Sequence, residues 1–233
     1  FQKFPYESKA KLALLPNQKE ITSTQVISSV LHPIIRDASI DLDQKIKSII
    51  PYAEGLIEQP SSEITFQLLD LVAILKTQYS NEGKIYSLEG DLHRLHGDYN
   101  MAIISYRKAT ELNPEILSIW DALLNTYSQT RQYSQMKEAA ESALGYFPFQ
   151  YQIYYLAAVA DFHLKEYDSA QSHLDMGQSL LEKESITTGI FLALEGDILF
   201  QTNRPTQALS KWREAVNLGY EDPTLLEKIK ANE

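Results

Sequence analysis

A pattern of residue sizes returns every 34 residues along this chain. Counting Gly83 as position 1 of a first unit, Tyr86, Gly90, Tyr99, Ala102, Tyr106, Ala109 and Pro114 stand at positions 4, 8, 17, 20, 24, 27 and 32. A shift of 34 puts Trp120, Leu124, Tyr133, Met136, Ala140, Ala143 and Pro148 in the same slots. A second shift of 34 gives Tyr154, Ala158, Tyr167, Ala170, Leu174, Gly177 and Glu182. A last step of 38 gives Leu192, Gly196, Pro205, Ala208, Trp212, Ala215 and Tyr220. Such a period marks a chain of similar supersecondary units. No unit can bury its apolar face alone, so neighbours stack into one continuous core.

The chemistry of the slots says what each unit is. Small residues at 8, 20 and 27 allow two helix backbones to approach closely. Aromatics at 4, 17 and 24 are expected to fill the wedge between one helix pair and the next. Pro114 and Pro148 cannot continue a helix and so end the second helix of their units. Gly97-Asp98-Tyr99, Arg131-Gln132-Tyr133, Lys165-Glu166-Tyr167 and Asn203-Arg204-Pro205 occupy the turn between the two helices. This 34-residue helix–turn–helix pattern resembles the tetratricopeptide repeat (TPR). The resemblance implies an all-α, α–α superhelix of right-handed twist, with no catalytic chemistry and a role as an interaction scaffold. Four units are expected, at 83–116, 117–150, 151–188 and 189–220, with helix pairs near 84–112, 117–146, 151–181 and 187–218. The four-residue excess is expected near Leu181 to Thr188, leaving the packing of Gly196 against Ala208 normal.

Residues 1–82 form an N-terminal helical segment, a degenerate repeat or cap outside the repeat register. Residues 1–20 lack sustained periodicity and are expected to be extended or partly helical. Thr22 to Arg36 places Val26, Ile27, Val30, Leu31, Ile34 and Ile35 at helical spacing. Asp41 or Asp43 caps a second helix with the stripe Ile46, Ile49, Ile50, Ala53, Leu56 and Ile57, kinked at Pro51. Ser61 or Ser62 caps a third, which buries Ile64, Leu68, Leu71, Val72 and Leu75. Residues 221–233 hold a C-terminal capping helix with Leu225, Leu226 and Ile229 inward.

Charge and composition narrow the partners. The formal net charge is −10, with −2 on residues 1–82 and −8 on the rest, which disfavours nucleic acid. No apolar run approaches the roughly 20 residues of a membrane span. There are no cysteines, so neither disulfides nor thiolate chemistry arise. The chain begins with Phe1 and is taken for a fragment or processed product. Asp41-Leu42-Asp43-Gln44-Lys45-Ile46, Glu89-Gly90-Asp91 and Phe147-Pro148 resemble a group of TPR proteins from Bacteroidota-type bacteria. That resemblance implies a protein exported to the periplasm or lipid-anchored, with a cytoplasmic location as the alternative.

No constellation of catalytic, cofactor-binding or metal-binding residues is expected. His93 and His96 with Asp91 lack the further ligands that zinc requires. Glu89-Gly90-Asp91 and Glu195-Gly196-Asp197 lie in different repeats, about 106 residues apart, too far for an acid–base couple. In the TPR resemblance, positions 2, 5, 9, 12 and 13 line the concave groove. The residues concerned are Lys84, Ser87, Asp91, Arg94 and Leu95; Ser118, Asp121, Asn125, Ser128 and Gln129; Gln152, Tyr155, Val159, Phe162 and His163; and Ile190, Ala193, Asp197, Phe200 and Gln201. Only Asn125 matches the Lys, Arg and Asn clamp that other TPR proteins use for a C-terminal carboxylate. Asp91, Arg94, Asp121, Asn125, Tyr155, Phe162, His163 and Asp197 are therefore the candidate groove, suited to a basic and apolar peptide or partner helix. The alternative is a structural segment of a longer solenoid, or a homo-oligomerisation module without its own ligand.

Overall fold

The computed structural model describes residues 23–181 and 185–232. All regular structure among these residues is helical. The expectations for residues 1–20, and for Glu182, Lys183 and Glu184, lie outside the described residues. The first helical run, α1, joins Ser23–Val26, a π-helical turn Ile27–Leu31, and His32–Arg36. Then follow α2 (Leu42–Glu58), α3 (Ser62–Gln78), α4 (Gly83–His96), α5 (Tyr99–Leu112), α6 (Leu117–Gln129) and α7 (Tyr133–Tyr146). The chain continues with α8 (Tyr151–His163), α9 (Tyr167–Ser179), α10 (Ile186–Gln201), α11 (Pro205–Asn217) and α12 (Pro223–Ala231). It divides into two compact units, Phe1–Ala122 and Leu123–Glu233, with the boundary inside α6.

The core of the first unit is built by α1 to α4. All six apolar residues expected inward on α1 are buried. Pro33 has no N–H to give, and just ahead of it the His32 N–H reaches back five residues to Ile27 O. Asp41 caps α2 by accepting from Gln44 N at 2.8 Å, and Ser61 caps α3 by accepting from Ile64 N at 3.4 Å. The expected stripe on α2 needs correction. The helix runs through Pro51, and its buried face comprises Lys45, Ser48, Ile49, Ala53 and Leu56. Ile50 and Ile57 sit one residue, about 100° of helix, past Ile49 and Leu56 and are exposed. Lys45 is fully buried because its stem covers apolar surface while its ammonium donates to Gln78 Oε1 at 2.9 Å.

The repeats obey a volume rule between positions 8 and 24 of the same helix pair. A Cβ added to Gly90 would lie 2.5 Å from Tyr106 Cε1, and one on Gly196 would lie 2.4 Å from Trp212 Cδ1. The position-24 aromatics therefore pack inside their own pair, not in the wedge between pairs, and the nearest neighbour of Gly196 is the Trp212 ring. Where position 8 is larger, position 24 is smaller: Leu124 with Ala140, and Ala158 with Leu174, all buried. A wedge between pairs is filled from elsewhere. Phe191, near the start of repeat four, meets Gly177 of repeat three, where an added Cβ would lie 2.5 Å from its ring.

The turn inside each pair is equally regular. Gly97, Arg131, Lys165 and Asn203, all at position 15, have φ of 86°, 57°, 65° and 61°. Three of the four are not glycine, so each repeat after the first holds a left-handed residue against its preference. The four-residue excess is shared between loop and helix. α10 starts 19 residues before α11, whereas α4, α6 and α8 each start 16 before their partners. Three extra residues thus lengthen α10 at its N-terminus, and Ser185 caps the extension by accepting from Thr188 N at 3.1 Å.

The volume rule makes a quantitative prediction. Gly196→Ala alone should destabilise by about 1–3 kcal/mol through overpacking, and Trp212→Leu alone by about 3 kcal/mol. Together they recreate the Ala–Leu pairing of repeat three, so the double variant should lose clearly less than the sum. Urea unfolding of the four proteins measures this coupling, and strict additivity would refute the rule.

Candidate functional site

Helix α8 turns Tyr155, Val159, Phe162 and His163 to one side, at the i, i+4, i+7 spacing of a helix face. Helix α10 presents Leu194, Asp197, Phe200 and Gln201, at i, i+3, i+6 and i+7. These eight, with Trp212, Lys228 and Asn232, line a cleft of about 490 Å³ in the second unit. That volume falls in the range of ligand clefts. Tyr155, Phe162, Phe200 and Trp212 are the aromatic part of the walls. The Tyr155 ring lies 5.1 Å from Phe191, and Phe200 lies 5.6 Å from Trp212. His163 stacks on Tyr133 at 4.0 Å with an interplanar angle of 12°. Phe200 is 41% exposed, an aromatic held open to solvent at the cleft.

The polar floor is one carboxylate. Asp197 Oδ1 accepts from Trp212 Nε1 at 3.1 Å, and Lys228 Nζ from α12 lies 2.7 Å from both oxygens. Burial, with Tyr220 and Asp197 nearby, pushes the Tyr155 hydroxyl up to about 12. Tyr155 is therefore neutral at physiological pH and can donate a hydrogen bond. Burial lowers the His163 imidazole below its usual range, aided by the Arg131 cation and opposed by Asp197. His163 is therefore mostly neutral at pH 7, and Lys228 supplies the cation among the cleft's lining residues.

Four of the eight candidate groove residues, Tyr155, Phe162, His163 and Asp197, come together in this cleft. The other four do not line it. Asp91 is engaged within repeat one: its Oδ1 accepts from Tyr106 OH at 2.6 Å, and Arg94 Nε donates to the same hydroxyl at 3.4 Å. Burial raises the Asp91 carboxyl and, more strongly, the Tyr106 phenol. Asp121 is half-buried on α6, where burial raises its carboxyl, and Asn125 is exposed one turn further along the same helix. The recurring Glu-Gly-Asp has a packing explanation. Its Gly admits the position-24 ring, and its Asp accepts from that ring's O–H or N–H. Its Glu takes a lysine: Lys76 at 2.8 Å from Glu89 and Lys211 at 3.1 Å from Glu195.

Four lining residues, Leu194 on α10 among them, and one buried charge lie outside the positions read from the sequence. Lys228 and Asn232 sit on α12, outside the repeat register, and Trp212 occupies a packing slot. Asp161 on α8 is fully buried in the second unit. Its Oδ2 accepts from Ser169 Oγ at 2.7 Å and meets His173 Nδ1 at 2.8 Å. Lys137 Nζ lies 2.9 Å from Oδ1, off the line of a directed hydrogen bond, so that contact is an ion pair. The serine gives its proton to the carboxylate and not to the imidazole, so this grouping is not arranged as a nucleophile relay. It ties α7, α8 and α9 together. Among the described residues, no three His, Asp or Glu side chains gather as metal ligands.

A tetratricopeptide-repeat family model matches residues 80–116, which contain all of repeat one. No curated protein matches the sequence. Among solved structures the fold is similar to YrrB, described as a TPR protein with an unusual peptide-binding site. That likeness has 13% identity over 87% of this chain and 99% of YrrB, with a TM-score of 0.63. It is also similar to MamA residues 41-end from Desulfovibrio magneticus RS-1, at 14% identity, 74% and 94% coverage and a TM-score of 0.60. A tetratricopeptide repeat protein from Parabacteroides merdae matches at 14% identity, 98% and 90% coverage and a TM-score of 0.51. At such identities the likeness is one of fold. The chain carries a tetratricopeptide repeat at 80–116 and has a TPR-like fold throughout its described repeats. The narrower resemblance to an exported or lipid-anchored group finds no support in these matches. No described helix is long and apolar enough to cross a membrane.

Lys137→Met leaves a buried carboxylate without its cation and should cost about 3 kcal/mol, the low end for a broken buried pair because Ser169 and His173 remain. The hydrogen bond to Glu166, then the pairing with Asp161, raises the Lys137 ammonium above its usual range. Its stabilising contribution is complete below the unfolded value near 10.5 and fades as pH rises through the higher folded value. The gap between the melts should therefore begin to narrow above about pH 10.5; an equal gap between the variant and wild type at every pH would contradict the assignment.

Proposed function

We propose that the protein is a non-enzymatic interaction scaffold that holds a peptide or partner helix in the cleft between α8 and α10. The observation that carries this reading is an accessible aromatic surface beside one carboxylate, Tyr155, Phe162 and Phe200 next to Asp197. Aromatic anchors in a recess dominate the energy of protein recognition, and a neighbouring acid orients a basic group. The partner is accordingly a segment with apolar side chains flanking a lysine or arginine. Asp121 and Asn125 do not line this cleft, so the proposed contacts come from α8 and α10. The peptide-binding site attributed to YrrB is compatible with this reading of a shared fold.

Panning a random dodecapeptide display library against the full chain, followed by fluorescence anisotropy, tests it. A saturable peptide bearing apolar and basic residues is expected. Phe162→Ala and Tyr155→Ala should each weaken it at least tenfold, about 1.4 kcal/mol. Phe66→Ala, which alters an exposed aromatic in the first unit, should leave binding unchanged. No saturable peptide, or binding indifferent to Phe162→Ala and Tyr155→Ala, would overturn the proposal in favour of a structural segment.

A further inference from the structure

Repeats one and four are near twins, and the point where they differ is informative. Gly83 matches Gly189, Glu89-Gly90-Asp91 matches Glu195-Gly196-Asp197, and Tyr106 matches Trp212. In both repeats the position-9 carboxylate accepts a hydrogen bond from the position-24 aromatic. In repeat one a cation stands one turn further on the same helix, at position 12: Arg94, which bonds the Tyr106 hydroxyl and attracts the Asp91 carboxylate. In repeat four the same position is Phe200. Asp197 therefore has no cation of its own helix, and an open aromatic stands where one would be.

That missing cation arrives from outside the repeat. Lys228 on α12 places Nζ 2.7 Å from both Asp197 oxygens and 5.9 Å from the centre of the Trp212 ring. Asn232 donates to Lys228 O at 2.8 Å, so the end of α12 completes the wall. We infer that α12 is a self-ligand of the cleft: Lys228 holds the place of a partner's basic side chain, and the partner displaces it on binding. The inference rests on the cleft being the peptide site proposed above.

The attachment of α12 suits exchange. It is a nine-residue helix, too short to be stable in isolation. Leu225 and Ile229 are its buried apolar side chains, whereas Leu226, expected inward, is 37% exposed. It follows Gly219, whose φ of 89° suits a bend that other residues resist. Two apolar anchors and one ion pair against nine ordered residues make its release a local opening and not global unfolding. The chemistry selects a lysine or arginine, because only a cation can replace Lys228 without leaving Asp197 uncompensated beside the Trp212 ring.

A synthetic peptide of residues 221–232 tests the inference in trans. The host is the full chain carrying Leu225→Asp and Ile229→Asp, which undock α12, with circular dichroism confirming that the repeats stay folded. The peptide should bind this host saturably and wild type at least tenfold more weakly. Lys228→Glu within the peptide should cost at least another tenfold. If the double variant unfolds, Lys228→Ala in the full chain replaces it and should raise affinity for the library-selected peptide at least threefold. The inference is overturned if the terminal peptide fails to bind a folded, undocked host. It is also overturned if the selected peptide binds wild type, undocked host and Lys228→Ala chain equally. In that last case, loss of the selected peptide in Phe162→Ala keeps the cleft as the peptide site while removing the self-ligand. If neither peptide binds any of the chains, both readings fall.

Discussion

Everything in the repeats depends on how closely the two helices of a pair can approach. A fixed pair of slots, 8 and 24, shares a nearly constant volume, glycine with a ring or alanine with leucine. Because the interior is close-packed, the larger partner dictates the smaller one. That contact sets the angle at which the first helix of each pair presents the adjoining face. In repeats three and four, those faces are the ones that carry Tyr155, Phe162, Asp197 and Phe200. The site is thus a by-product of the packing that holds the pairs together. Trp212 belongs to both, since its ring fills the pair and its N–H holds the cleft's carboxylate.

The periodicity made the fold legible because the size pattern is a direct record of backbone approach. Helix starts in the repeats and the position of each turn followed from it, whereas the inward residues of α1, and those of α3 apart from the half-buried Ile64, followed from ordinary helical spacing. The misreadings have physical causes. On α2, Ile50 and Ile57 are apolar yet lie a third of a turn outside the buried stripe, and a lysine fills a buried place. Apolar character was a poor guide there because the long stem of Lys45 covers surface as well as a leucine does. The position-24 rings were assigned to the wedge because size alone does not say which neighbour a ring meets.

The candidate site was legible in part. The repeat register brings Tyr155, Phe162, His163 and Asp197 to one cleft, because it fixes which face of the first helix each occupies. It could not tell that Asp91 is engaged by Tyr106, since position 9 looks alike in every repeat until the ring opposite is known. Nor could it find Lys228, whose helix lies beyond the last repeat. Asp161 was missed for a related reason: position 11 is ordinarily a packing position, and its buried charge depends on Lys137, Ser169 and His173 from two other helices.

On the proposed reading, the cleft beside Trp212 is where a partner binds. The chain has two tryptophans, Trp120 and Trp212, one in each compact unit, so their indole N–H resonances report separately on the two. The most direct measurement is a nitrogen–proton correlation spectrum of the full chain titrated with the library-selected peptide. The account predicts that the Trp212 indole signal moves saturably as its contact with Asp197 is altered, while the Trp120 signal stays in place. A Trp212 signal that remains fixed at peptide saturation, with shifts confined to Trp120 or to the amides of α2 and α3, would contradict it.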